Sequence, residues 1–201
     1  PWTVASYMVE GRGSDRALAI SAAREGEPWF ELLVERLVKT SADYLVGQVR
    51  AGAEVLQIFD SWAGDLPVSL HERWVHRPIR QLIDAVRVKC PDVPVIVFGR
   101  GMADGHGELA RSVGANAVSV EQTTSLADVL KSLPAHVAVQ GNLAPETLQA
   151  GGSELVEQAR KICRMVPATR HIFNLGHGIL QHTPPEHVTE LMKIIRAEEH
   201  H

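Results

Sequence analysis

The 201 residues carry 20 Lys and Arg against 24 Asp and Glu, a net charge of −4, with 45% hydrophobic and 22% charged side chains. That balance excludes a disordered or collagen-like chain, and the length points to one domain, residues 1–201, rather than two. The longest apolar run, residues 93–98, falls far short of the roughly 18 residues of a membrane helix. A mildly acidic chain also carries no general attraction for nucleic acid, so neither membrane nor nucleic acid is expected as a partner.

In chain order, residues 3–9 form an apolar, partly β-branched run that predicts a strand. After Phe30, apolar side chains recur at Leu33, Val34, Leu37, Val38, Leu45 and Val49. That helical stripe ends where Gly52 suits the position just past a helix. Residues 53–59 predict the next strand. Leu70, Trp74, Ile79, Leu82, Ile83 and Val86 mark a second helix, with Pro78 as a kink or a first-turn residue. Residues 93–98 predict a strand buried on both faces, and 108–113 a short helix closed by Gly114.

Residues 116–120, 137–140 and 171–175 predict further strands, and 155–166 an amphipathic helix. Thr183-Pro184-Pro185-Glu186 predicts a helix start, with Thr183 as cap and Glu186 completing a capping box. The closing Glu198-Glu199-His200-His201 reads as a frayed end. Such alternation implies an α/β fold with a parallel sheet covered by helices. It supplies about six strand–helix units against the eight of a closed (β/α)8 barrel. An open doubly wound sheet and a TIM barrel lacking its first two units both fit.

Cys90 and Cys163 are too few for a disulfide framework and too far apart for a thiolate zinc site, which suits a reduced cytosol. The opening Pro1-Trp2-Thr3-Val4-Ala5 has neither the basic and apolar regions of a signal peptide nor an initiator methionine, so a fragment is expected.

Both architectures put the active site at the carboxyl ends of the strands. That rule selects Tyr7 with Glu10-Gly11-Arg12-Gly13-Ser14, then Phe59-Asp60-Ser61 with Ala63-Gly64. It also selects Gly99-Arg100-Gly101, Gln140-Gly141-Asn142 and Asn174-Leu175-Gly176-His177-Gly178. Most have an ordinary alternative. Gly11-Arg12-Gly13 lacks the spacing of a dinucleotide fingerprint and suits a turn. Ser61 is not in a G-x-S-x-G elbow and suits a turn or cap. Tyr7 suits a half-buried core position, and Arg100 a solvated one. His177 stands apart, because flanking glycines let its ring and backbone approach a ligand. His182 and His187 are separated by two prolines, and His71 and His76 miss the i,i+4 spacing, so no metal site is expected.

Several motifs, in order, resemble the uroporphyrinogen decarboxylase family. They are Pro1-Trp2-Thr3-Val4-Ala5-Ser6-Tyr7-Met8-Val9-Glu10-Gly11, Leu56-Gln57-Ile58-Phe59-Asp60-Ser61-Trp62-Ala63-Gly64, Gln140-Gly141-Asn142-Leu143-Ala144-Pro145 and Asn174-Leu175-Gly176-His177-Gly178-Ile179. Leu45-Val46-Gly47-Gln48-Val49 and Thr183-Pro184-Pro185-Glu186 add to the likeness. The resemblance covers essentially the whole chain and implies the third to eighth units of a (β/α)8 barrel. It further implies a cytoplasmic homodimer, free of metal and cofactor, that converts uroporphyrinogen III to coproporphyrinogen III by releasing four CO2 in porphyrin and heme biosynthesis. By motif, Tyr7, Ser61 and His177 carry over as substrate contacts, with Tyr7 and His177 in the catalytic set and Phe59 lining the same cavity.

The family's arginine-rich opening segment and its pyrrole-binding aspartate have no counterpart here, so the chain alone is expected to be inactive. The chain also departs from the pattern. It has Val120-Glu121-Gln122 where Leu-Asp-Trp is usual, Ala144 where an aspartate is usual, and Gly99-Arg100-Gly101 in place of a lysine loop. Two other readings compete: a non-catalytic tetrapyrrole-binding or assembly module, and a zinc-dependent barrel methyltransferase relative. The second needs cysteine ligands at strand ends, where Cys90 and Cys163 do not fall.

Overall fold

The computed structural model describes residues 1–11 and 15–198. Arg12, Gly13 and Ser14 of the first candidate loop, and Glu199-His200-His201 of the expected frayed end, lie outside the described residues. The chain divides into two compact units, Pro1–Asn116 and Ala117–His201.

The first unit runs α1 (Trp2–Glu10), α2 (Ala17–Glu25), α3 (Pro28–Arg50), β1 (Leu56–Asp60), α4 (Val68–His71), α5 (Arg77–Lys89), β2 (Val95–Gly99) and α6 (His106–Val113). β1 and β2 pair in parallel, from Leu56 opposite Val95 to Asp60 opposite Gly99. Leu56 and Ile58 of β1 join a core with Trp2, Phe30, Trp74, Ile79 and Ile83. The Phe30 ring lies 5.9 Å from Trp2 and 5.0 Å from Trp74. Trp74 Nε1 donates to the Ala23 carbonyl at 2.9 Å, so its one polar atom is satisfied in the core.

The first expected strand is a helix. Residues 3–9 belong to α1, and among the described residues five strands stand where six were expected. A strand would have turned Trp2, Val4, Ser6 and Met8 to one face, yet Val4 and Met8 are 47% and 61% exposed. Trp2, Ala5 and Ser6 are buried and Val9 partly so, which is the i, i+3, i+4, i+7 stripe of a helix. The β-branched Thr3, Val4 and Val9 suggested the wrong period. Pro1 at the cap position supplies no side-chain acceptor. The buried Asp60 supplies it from 57 residues away, its Oδ1 accepting from the Thr3 N–H at 2.8 Å and the Thr3 hydroxyl at 2.5 Å.

The second predicted helix is not uniform. A π-helical turn, Glu72–His76, joins α4 to α5. Arg77 N–H donates to the Glu72 carbonyl five residues back. The register thus widens just before Pro78, which lacks an N–H and sits in the first turn of α5. The predicted ends at Gly52 and Gly114 hold: each follows its helix at positive φ, 109° and 66°.

The second unit runs β3 (Ala117–Ser119), α7 (Leu126–Ser132), β4 (Ala138–Gln140), α8 (Pro145–Ala150), α9 (Gly152–Met165), β5 (His171–Ile172) and α10 (Pro185–Glu198). β4 pairs in parallel with both β3 and β5, and a parallel bridge from Leu143 to Leu175 extends the second ladder. The Thr183 cap is not formed: its hydroxyl makes no hydrogen bond. Pro184 O accepts from His187 N–H at 3.1 Å, so the tandem prolines move the helix start one residue onward and leave Thr183 ahead of it. Among the described residues no helix is long and apolar enough to cross a membrane.

Candidate active site

Three of the four expected contacts lie in the first unit. Tyr7 stands on the solvent side of α1, half exposed, with its ring 6.1 Å from that of Trp62. Phe59 alternates away from Leu56 and Ile58, so it leaves the helix-covered face of β1 and is 59% exposed. It pairs with Phe98 across the ladder, ring to ring at 6.1 Å. Ser61 occupies the turn directly after β1 and is held on both sides. Before it comes the Asp60 carboxylate bound to Thr3. After it, Trp62 N–H donates to Thr3 Oγ1 at 3.1 Å and Trp62 O accepts from Trp2 Nε1 at 2.9 Å. The first turn of α1 and the β1 turn are thus one hydrogen-bonded assembly.

The loops after β1 and β2 touch. Gly64 N–H donates to the Arg100 carbonyl at 2.9 Å, and a Cβ on Gly64 would stand 2.6 Å from Gly101 Cα. Only glycine permits that approach, which accounts for Gly64 and Gly101; a Cβ on Gly99 would instead meet the Met102 and Leu109 side chains. Arg100 is half-buried, with Cζ 5.8 Å from the Trp62 ring centroid, and is not the freely solvated charge of the ordinary alternative. Arg16 Cζ lies over the same ring at 4.2 Å, and its Nε pairs with Asp65 at 2.6 Å.

The fourth contact, His177, lies in the second unit, exposed in the loop after β5. Its neighbour Gly176 is fixed: the N–H donates to the Leu143 carbonyl at 2.8 Å, and a Cβ there would stand 2.7 Å from Gln122 Cα. The Asn142 amide donates to the Glu121 and Thr124 carbonyls at 2.9 and 2.6 Å, tying the loops after β3 and β4 together. His171 Nε2–H donates to the Gly141 carbonyl at 2.7 Å. Burial holds this imidazole below its ordinary pKa, partly offset by that bond. Gln122 and Ala144, two of the departures from the family pattern, line a cavity of about 470 Å³ with Thr147 and Lys161.

His182 is exposed, whereas His187 is partly buried with Nδ1–H donating to the Leu148 carbonyl at 3.0 Å. His71 and His76 do meet, ring to ring at 6.2 Å, because a π turn brings residues five apart together. Cys90 caps the end of α5 and Cys163 lies within α9. Among the described residues, no group of three or more His, Cys, Asp or Glu is placed to hold a metal ion. Sequence reasoning selected Asp60 only by its strand-end position, without its role at α1, and passed over Trp62 and Arg16. Arg16 is the one non-glycine residue with positive φ, 60°, among the described residues. No local pattern marks these roles, because the partners are distant in sequence.

Residues 1–198 match the family model of uroporphyrinogen decarboxylase (URO-D). The uroporphyrinogen decarboxylase of Novosphingobium aromaticivorans is 43% identical over 198 residues, covering 98% of this chain and 58% of that protein. That of Maricaulis maris is 44% identical over 197 residues, covering 98% and 57%. The chain therefore spans a little under three fifths of the curated relatives it matches. Among solved structures, a methyltransferase from Methanosarcina mazei superposes with a TM-score of 0.80 at 19% identity, covering 97% of this chain and 56% of that one. At that identity the likeness shows the fold alone.

Proposed function

Because the chain belongs to the uroporphyrinogen decarboxylase family, we propose that it supplies the substrate-holding part of a decarboxylase acting on uroporphyrinogen III. The observation that carries this reading is the family match over residues 1–198, with Tyr7, Phe59 and Ser61 of the first unit and His177 of the second as its proposed contacts. Each is at least partly open to solvent, and Phe59 is carried by the β1–β2 ladder.

Direct loss of CO2 from an acetate arm would leave a carbanion of prohibitive energy. Protonation of the adjacent pyrrole carbon turns the ring into an electron sink. The C–C bond to the carboxylate then breaks, its electron pair enters the ring system, and CO2 departs. A proton delivered to the exocyclic carbon makes the methyl group, and loss of the first proton restores the pyrrole. The sink belongs to the substrate, so no cofactor is called for, and the protein contributes orientation and electrostatics. In this scheme the Tyr7 and Ser61 hydroxyls and a His177 ring N–H donate to substrate carboxylates, and Phe59 forms an apolar wall. Tyr7 and His177 touch the substrate where protons move.

Residues 1–201 form one domain of an incomplete (β/α)8 barrel in this reading. Its unpaired strand edges are covered by the rest of the family's length, the chain alone is inactive, and the complete enzyme is a cytoplasmic homodimer. In the full-length protein, His177→Ala, Tyr7→Phe and Ser61→Ala should each lower kcat/KM for uroporphyrinogen by roughly tenfold or more. Equal turnover by all three would contradict the assignment. Tetrapyrrole binding by the wild type without loss of carboxyl groups would point instead to a binding or assembly module.

A further inference from the structure

The Trp62 cluster holds two guanidinium groups that the reaction scheme does not use. Arg16 and Arg100 come from different segments, the start of α2 and the loop after β2, yet both lie over one indole, at 4.2 and 5.8 Å. Tyr7, proposed above as a substrate contact, tilts toward the same ring at 6.1 Å. A guanidinium that stacks on an aromatic face uses its own face. Its five N–H donors remain at the edge, enough to serve a neighbour in the fold and a ligand together.

The scaffold fixes both arginines. The Arg100 backbone is locked by the Gly64 N–H and the Gly64–Gly101 contact. Arg16 is held at positive φ, a conformation disfavoured for an L side chain, and is paired with Asp65. Such a preorganised cationic edge on a half-buried tryptophan fits a carboxylate, and Tyr7 beside it says which one.

We propose that Arg100, supported by Trp62 and Arg16, is a carboxylate-binding residue for the tetrapyrrole, receiving one of its acidic arms at the β1–β2 end of the site. The inference rests on the decarboxylase reading and extends it to residues outside the matched motifs.

The test uses the full-length protein, titrated by fluorescence with uroporphyrin (eight carboxylates) and coproporphyrin (four), alongside KM for uroporphyrinogen. Arg100→Ala should weaken uroporphyrin binding roughly 10- to 100-fold and flatten its salt dependence. KM should rise more than kcat falls, and Arg100→Lys should recover part of the loss. A loss shared by coproporphyrin assigns the arm as a propionate, and a loss confined to uroporphyrin assigns it as an acetate. If Arg100→Ala does not fold, Arg100→Gln and Trp62→Phe carry the test in its place. Wild-type affinity and KM in the folded Arg100 variants would overturn the inference while leaving the decarboxylase reading standing. A wild-type protein that neither binds uroporphyrin nor releases CO2 would bring down both.

Discussion

Gly64→Ala puts the contact between the β1 and β2 loops to a quantitative test. The new methyl group would stand 2.6 Å from Gly101 Cα and overlap the Gly101 carbonyl. Ordinary carbon–carbon contact begins near 3.5 Å, so one loop must retreat by about 1 Å. Both sides are backbone, so no rotamer change relieves the overlap, and retreat stretches the 2.9 Å bond from Gly64 N–H to Arg100 O. Overpacking of this kind costs about 1–3 kcal/mol, and the backbone setting argues for the upper half of that range. Spread over the larger full-length protein, that lowers Tm by roughly 3–5 °C. Gly47→Ala is the matched control. Gly47 lies in α3, is exposed, and a methyl group added there would meet nothing within 4 Å. That change should therefore stabilise by about 0.5–1 kcal/mol. Differential scanning calorimetry of the two variants in the full-length protein reads both signs. A Gly64→Ala protein with wild-type Tm would refute the loop contact, and with it the fixed position of Arg100.

Three further outcomes follow from the same structure. Asp60→Ala removes both bonds to Thr3 and leaves the first turn of α1 without its acceptor, costing about 2–4 kcal/mol in denaturant unfolding. Asp60→Asn, which keeps one acceptor oxygen, should cost less. Gly176→Ala must push the His177 loop away from Gln122, so kcat/KM should fall more than stability does. The buried His76 and His171 imidazoles have lowered pKa values, burial being the main cause in each; at His76 the carboxylates of Glu72 and Glu108 push back and His71 adds to the lowering. The unfolded chain therefore takes up these protons first. Their contribution to stability is complete above the ordinary histidine value of about 6.5 and is lost as pH falls through the lower folded values. Urea midpoints should drop on acidification below that pH, and less steeply in a His76→Gln variant.

Much of the fold was legible because local pattern and tertiary burial agree. The run at 93–98 becomes β2, buried throughout, and the stripe after Phe30 becomes the buried side of α3. Legibility failed where the deciding partner is remote. Residues 3–9 carry strand-forming side chains, but their helix is capped by Asp60 and packed by Phe30. The π turn before Pro78 and the displaced start of α10 were hidden for a related reason. A proline announces a break in the hydrogen-bond ladder without saying how the chain accommodates it. At the candidate site, Ser61 and His177 do follow strands β1 and β5, as the strand-end rule expects, whereas Tyr7 was selected at the end of a strand that is helix α1. Trp62 with its two arginines was not legible, because residues 16, 62 and 100 meet only once the chain is folded.

The central claim is that this chain belongs to an enzyme that removes carboxyl groups from a tetrapyrrole. The most direct test counts CO2 released per uroporphyrinogen III by the full-length protein under anaerobic conditions, with the residual porphyrins separated by carboxyl number. The account predicts four CO2 and accumulation of coproporphyrinogen III. A folded protein that returns the octacarboxylate unchanged would contradict it.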